Sequence, residues 1–434
     1  MLAVGLLIHL AVLRRSEAQE RNRLTASFAG HVLAALLQVW LVLYYFPGGG
    51  DMLGYYAEGV MGAESLRSDF WRFAPELWAA LWRQEYHLPF EFSGTGATLS
   101  TSAAASFIVF VAGDSLYSSC MVVAIAAYLS QYSLYLALRM YFRPEQRPLI
   151  LVGTCLIPSG VYWSSGLFKE ALVMSALGPV VLALHWLANG QRRSLAIALG
   201  VGAGTVLVLI KPYVVMALSI SASVFYLRRR FQAADPELKP FAIITSLLLA
   251  MGGLTIGSQY LGKDSTEGSA AMVAQQRRVG YANQGGSDYY LDSPAESGDT
   301  KERTLAQELA LAPLGLATAL FRPLIFEARN AVQLANSIEA TLLLVLFIQI
   351  IMRLGWAGFV RETMRSPVLA FCAVFAFALG LGTGLASSNL GTLSRYRAPM
   401  MPFFFTLLLM LRFGTKSRLE VETARLRGAE AQSP

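Results

Sequence analysis

The chain has 434 residues, 55% of them hydrophobic and only 15% charged, with a mean hydropathy of +0.49. That balance excludes an ordinary soluble domain of this length and points to repeated membrane crossings. The net charge of +7 lies in short basic clusters beside apolar runs, so it marks membrane topology and gives no nucleic-acid-binding face.

The first apolar run, Met1 to Leu13, ends in Arg14 and Arg15 and not in a small-residue cleavage site, so it does not read as a removable leader. It is also short of the roughly 20 residues that a span needs. Basic clusters at Arg14 to Arg23, Arg139 to Arg147, Arg192 and Arg193, Arg228 to Arg230, Arg353 to Arg365, and from Arg412 onward are assigned to the cytoplasmic side. The chain must therefore cross an even number of times between neighbouring clusters. Leu24 to Phe46 goes out and Ser115 to Leu138 returns, which leaves Ala103 to Ala112 as a re-entrant segment. Pro148 to Ser164 and Phe168 to Trp186 make the next pair, followed by Leu195 to Ile210 and Val214 to Tyr226, with Lys211 and Pro212 at the turn. Phe241 to Ser258 leaves again and Ile338 to Met352 returns. Pro367 to Leu385 and Met400 to Leu411 complete the set.

The expected fold is all-α and polytopic, with about eleven spans in a membrane domain over residues 1–411. Two large external segments, 47–102 and 262–336, interrupt it, and a cytoplasmic tail over 412–434, rich in Ala, Glu and Arg, is expected to be disordered. Within the first external segment, SLRSDFWRFAPELWAALWRQ alternates aromatic and charged residues at helical spacing, the pattern of a helix lying flat in the interface. Cys120, Cys155 and Cys372 sit in apolar runs without metal-ligand spacing and are assigned to packing.

Five cations stand on the outer side close to membrane ends, against the topological bias: Lys169, Lys211, Arg322, Arg395 and Arg397. Any one could snorkel to lipid phosphate, but five on one face form the electrostatics that hold a phosphate or pyrophosphate while a leaving group departs. Asp51, Glu170, Glu327 and Glu339 accompany them at similar depth. Asp51, in PGGGDMLGYY, follows a glycine-rich loop and is the candidate general base, with a plain turn aspartate as the alternative. Glu327 is the second carboxylate of the candidate catalytic set. Lys169 and Glu170 read equally as a structural ion pair or as a lipid-phosphate contact. Tyr55, Tyr56, Trp163, Glu170, Asn330 and Tyr396, with Tyr289 in the external GYANQGGSDYY, supply the aromatic, amide and carboxylate groups suited to sugar. No P-loop, GxSxG or HExxH pattern occurs, and His9, His31, His87 and His185 lack ligand spacing, so no metal ligand is assigned.

Together, an acidic residue after an early span, PSGVYWSSGLFKE, FRPLIFE with Asn330 and Glu339 downstream, and NLGTLSRYRAPMMPFFF resemble bacterial multi-span glycosyltransferases of the GT-C type and polysaccharide polymerases of the O-antigen polymerase kind. The resemblance implies a helical fold in the bacterial inner membrane, with its C-terminus cytoplasmic and a catalytic cavity facing the periplasm. It implies an isoprenoid-linked sugar donor, membrane lipid and other envelope-polysaccharide assembly proteins as partners, Asp51 as base, and Arg322, Arg395 and Arg397 on the lipid pyrophosphate. The paired acidic motif of many such enzymes is absent after the first span, so no cofactor is assigned and a divalent metal is left open. A transporter or flippase of lipid-linked oligosaccharides is the alternative; it would place charges near the bilayer midplane and show paired repeats.

Overall fold

The computed structural model describes residues 1–45, 50–87, 96–233, 239–263, 305–387 and 389–414. Tyr289 and residues 415–434 of the expected tail lie outside the described residues. Among the described residues the regular elements are helices: α1 (Leu2–Arg14), α2 (Ala18–Trp40, continued by a π turn Leu41–Tyr45), α3 (Gly50–Ser68), α4 (Phe70–Leu81), α5 (Ala97–Ala112), α6 (Leu116–Arg139), α7 (Arg147–Cys155), α8 (Pro158–Trp163), α9 (Lys169–Ala188), α10 (Arg193–Ile210), α11 (Pro212–Ala233), α12 (Lys239–Lys263), α13 (Leu305–Phe321), α14 (Ala331–Arg365), α15 (Pro367–Ala386), α16 (Leu390–Tyr396) and α17 (Met401–Leu409, continued by a π turn Met410–Gly414).

Local chemistry sets many of these boundaries. Proline opens α8, α11 and α15, where its missing N–H costs nothing. Asp69, Asn330, Ser366 and Asn389 cap the helices that follow them by accepting backbone N–H bonds. Glu17 and Glu20 form a reciprocal capping box at the start of α2. Near its end α14 breaks at Gly355, whose φ of 67° is open to glycine and strained for other residues.

Among the described residues, six helices are long and apolar enough to cross a membrane: Ala18–Tyr45, Leu116–Arg139, Lys169–Ala188, Arg193–Ile210, Ala331–Arg365 and Pro367–Ala386. The fold is that of a helical membrane protein. Several other expected spans occur as shorter pieces. Pro148 to Ser164, expected as one span, is two helices, α7 and α8, because Ile157 precedes Pro158 and takes an extended conformation (φ −71°, ψ 122°). The expected Met400 to Leu411 span is the nine residues of α17 with turns on either side.

α6, α9, α15 and α17 form the centre, with Tyr128, Phe371, Phe375, Phe403 and Phe404 fully buried among them. α10 and α14 lie at the periphery and expose Ile197, Val201, Leu342 and Met352, as lipid-facing helices do. α6 and α9 meet so closely that a Cβ on Gly178 would lie 1.8 Å from the Ser130 carbonyl oxygen. There the Ser130 hydroxyl donates to the Met174 carbonyl and accepts the Gly178 N–H at 3.0 Å. A neighbouring helix thus completes hydrogen bonds at the Pro179 irregularity of α9.

A buried polar seam joins α2 to α6. Glu20, Ser27, His31 and Gln38 follow one face of α2, and Tyr128, Gln131, Tyr135 and Arg139 follow the facing side of α6. Glu20 accepts from Arg139 at 3.0 Å and from the Tyr135 hydroxyl, while Tyr128 meets His9 Nδ1 at 2.9 Å.

The basic clusters come together at one end of the bundle. Arg147 pairs with Glu17, Gln146 donates to the Gly414 carbonyl at 2.9 Å, and Arg353 donates to the Arg412 carbonyl at 3.0 Å. Arg228 reaches the Met364 carbonyl, and Arg192 lies over Trp186 near the end of α9.

Candidate functional site

The other end holds the cations that topology did not explain. Glu170, in the first turn of α9, is some 22 Å along the helix from His185 in its last turn, at 1.5 Å per residue. Lys211 stands at the turn between α10 and α11, and its Nζ donates to Glu170 Oε1 at 2.6 Å. Arg395, in α16, reaches the same oxygen with Nε at 3.3 Å and places Nη1 2.8 Å from Asp51 Oδ2 at the start of α3. The result is a chain of alternating charge, Lys211, Glu170, Arg395, Asp51. Side-chain exposure rises along it, from 4% and 1% for Lys211 and Glu170, through 21% for Arg395, to 50% for Asp51. One end is sealed and the other meets solvent.

Aromatic rings frame this chain. The Tyr396 ring centroid lies 4.1 Å from Lys211 Nζ, and the Phe168 ring lies 5.8 Å from the Arg395 guanidinium, both within cation–π reach. Burial works against the charge on Arg395, but the Glu170 and Asp51 carboxylates outweigh it and raise its pKa further, so it stays charged.

Beside Asp51, Lys169 Nζ donates to Thr98 Oγ1 at 2.7 Å, in the first turn of α5, and lies 5.9 Å from the Tyr55 ring. Tyr55 is buried and shares Thr98 as a partner; burial first, and then the Asp51 charge, push its phenol pKa up. Lys169 thus stands beside the chain of Lys211, Glu170, Arg395 and Asp51.

A second group lies nearby. Arg397 is fully buried and donates from Nη1 to the Arg322 carbonyl at 2.6 Å; its Nε and Nη2 have no hydrogen-bond partner among the described residues, and Glu339 is the carboxylate whose charge acts on it. Arg322 Nε donates to Glu327 at 2.8 Å, and Glu327 also accepts the Leu324 N–H at 2.7 Å. Burial alone would raise the Glu327 pKa; the bonds from Arg322 and Leu324 prevail and lower it. Glu339 accepts the Ser159 N–H at 2.7 Å as well as its hydroxyl, holding the start of α8.

The five cations expected on one face are thus at one end of the bundle, but Lys211, Arg322 and Arg395 each pair with a carboxylate. Arg395 and Arg397 turn apart, since residues two apart near a helix end face different ways. Glu327 stands with Arg322, not with Asp51. Asn330 caps α14 by accepting the Gln333 N–H at 2.9 Å. Trp163 packs its ring against Tyr162 and Phe168. Tyr56 points elsewhere, bonding backbone at Leu116, with Asp114 as a charged neighbour. Thr98 escaped the sequence reading, because a lone hydroxyl carries no pattern of its own, and Ser159 and Phe168 stood within PSGVYWSSGLFKE without an assigned role.

No protein-family model, curated protein or solved structure matches this chain.

Proposed function

We propose that this chain is a membrane enzyme that transfers or polymerises sugars from an isoprenoid-phosphate or isoprenoid-pyrophosphate donor onto a hydroxyl acceptor. One observation carries the reading: Asp51 is a half-exposed carboxylate at the solvent end of an otherwise buried chain of charges. Arg395 fixes Asp51, and Glu170 and Lys211 fix Arg395, so the carboxylate is oriented by groups that cannot wander.

In this reaction Asp51 accepts the proton of the acceptor hydroxyl as its oxygen bonds to the anomeric carbon. The bond from that carbon to the donor phosphate breaks, and the electron pair leaves with the phosphate. Lys169, held by Thr98 beside Tyr55, is placed to stabilise the departing charge. Tyr396, half-buried beside Arg395, offers a ring face for the sugar, whereas the buried Tyr55 packs against Lys169.

The test uses purified protein in lipid with an isoprenoid-pyrophosphate-linked oligosaccharide, read as longer glycans or glycosylated acceptor. Elongation that Asp51→Asn lowers by about 10²-fold or more is the expected result. Movement of the intact lipid between leaflets with no transfer would overturn the enzyme reading in favour of transport.

A further inference from the structure

The seam between α2 and α6 carries polar atoms that the packing of the chain does not satisfy. Ser27, His31, Gln38 and Gln131 are each at most 2% exposed, and Ser27 Oγ, His31 Nε2, Gln38 Oε1 and Gln131 Oε1 have no hydrogen-bond partner among the described residues. His31, an ionisable residue, stands at the middle of the 28-residue span Ala18–Tyr45. Bulk water is farthest away there, and a hydrogen bond left unmade at that depth is costly.

Three helices bring these atoms together. Gly30 of α2 comes so close to α8 that a Cβ on it would touch Val161 at 3.4 Å, and Gln131 of α6 donates to the Gly160 carbonyl at 3.3 Å. The turn of α2 that carries Ser27 and His31 therefore meets Gln131 at α8. The His31 and Tyr128 rings, 6.0 Å apart, join the same turns of α2 and α6 directly. Gln38, two turns farther along α2, donates to the Tyr162 carbonyl of α8. Ser27 also forms part of the wall of a cleft of about 370 Å³ between α2 and α8, where a water, at about 30 Å³, has room.

The unsatisfied positions share one chemistry. A carbonyl only accepts, so the 2.8 Å bond between His31 Nδ1 and the Ser27 carbonyl puts the proton on Nδ1 and leaves a lone pair at Nε2. Gln131 and Gln38 direct their N–H groups to α8 carbonyls, which leaves their oxygens as acceptors. Three acceptors and one hydroxyl call for a small donor. A dehydrated cation would also need a carboxylate to balance it. α6 and α8 carry none, Glu20 lies about 16 Å along α2 and binds Arg139, and Glu339 of α14 binds Ser159 and acts on Arg397. Water supplies donors without charge.

We propose that α2, α6 and α8 enclose a site for ordered water at mid-membrane, with His31 Nε2, Gln131 Oε1 and Ser27 Oγ as its inner ligands and Gln38 Oε1 as its outer one. A buried water makes about three hydrogen bonds, so these atoms suit a small cluster. Such water braces α8. A helix of six residues has few internal bonds, and the glutamines that hold its carbonyls are in turn fixed at their other ends. The site is independent of the reaction that Asp51 serves.

The experiment is radiolytic hydroxyl-radical footprinting of the protein in nanodiscs, in oxygen-18 water, read by mass spectrometry. Radicals formed on an internal water oxidise the side chains around it. Tyr128 is fully buried, as are Phe375 and Phe403 in the apolar centre. Tyr128 is expected to take up label severalfold faster than those two phenylalanines; Gln131→Leu should remove most of the difference and Ser27→Ala should lessen it. Ser27→Ala leaves the bonds to α8 intact, so it keeps the test decisive where Gln131→Leu disturbs folding. Tyr128 labelled no faster than Phe375 and Phe403, or labelled equally fast in both variants, would overturn the inference. So would a Tyr128 labelling rate that changes when sodium is replaced by choline, which would make the occupant an alkali cation.

Discussion

Glu170→Gln is the sharpest probe of the charged chain. It keeps the shape of the side chain and deletes one negative charge where Lys211 stands 2.6 Å and Arg395 3.3 Å from the same oxygen. Lys211 and Glu170 are nearly sealed, so solvent offers little compensation to the orphaned ammonium, and Arg395 keeps only Asp51. Breaking a buried pair in this way costs about 3–5 kcal/mol, or roughly two to three and a half powers of ten in the folding equilibrium. The measurement is reversible unfolding in detergent micelles. A second variant isolates the cause: Glu170→Gln with Lys211→Met removes the orphaned cation as well and should recover much of the loss, since replacing both partners of a buried pair by groups of similar volume is often nearly neutral. Glu170→Gln unfolding within about 0.5 kcal/mol of the wild type, or a double variant no better than the single one, would refute the reasoning.

Other outcomes follow from the same geometry. Asp51→Asn should lower sugar transfer by about 10²- to 10⁴-fold, the range of general-base catalysis; because Asp51 is half exposed, stability should change by about 1 kcal/mol or less, and equal losses in both readouts would make Asp51 merely structural. Gly178→Ala should destabilise by about 1–3 kcal/mol or more, because α9 must move away from the Ser130 carbonyl; a melting profile like the wild type would show that α6 and α9 do not meet there. For Glu327 the folded pKa lies below its ordinary value of 4.5, so its stabilising contribution is present above that value and is lost as pH falls through the folded one. The stability advantage of the wild type over Glu327→Gln, at about 1 kcal/mol for a partly exposed pair, should therefore be complete at pH 6 and vanish in acid. A pH-independent difference would count against the Arg322–Glu327 pairing.

Much of the architecture is legible in the sequence, because the signals are local. Runs of apolar residues bounded by caps and prolines locate α6, α9, α10 and α15 to within a few residues, and α2 except for its first six residues. Residues of the basic clusters meet across distant helices, Arg147 with Glu17 and Arg353 with the Arg412 carbonyl, while Lys211 and Arg395 meet at Glu170. Pairing is another matter. Lys211 finds Glu170 and Arg395 finds Asp51 only through the packing of distant helices, so a census of cations by depth reads five free charges where the fold leaves far fewer. Pro158 announces the break between α7 and α8, but hydropathy averaged over Pro148 to Ser164 conceals it. The α2–α6 seam is concealed in the same way, since Glu20, Ser27, His31 and Gln38 are diluted by the apolar residues between them.

The order of residues in the charged chain has a consequence for biogenesis. Asp51 belongs to an early helix, Glu170 and Lys211 to the middle of the polypeptide, and Arg395 to the short helix before the last buried one. As the ribosome delivers these segments in turn, Lys211 can neutralise Glu170 as soon as α9 and α10 are side by side, and that hairpin can settle in the bilayer without a lone buried charge. Asp51 has no fixed orientation until Arg395 has been made. The carboxylate proposed to act as base is therefore assembled only after the α16 segment has been made, and a chain translated short of Arg395 lacks the group that would set it to work.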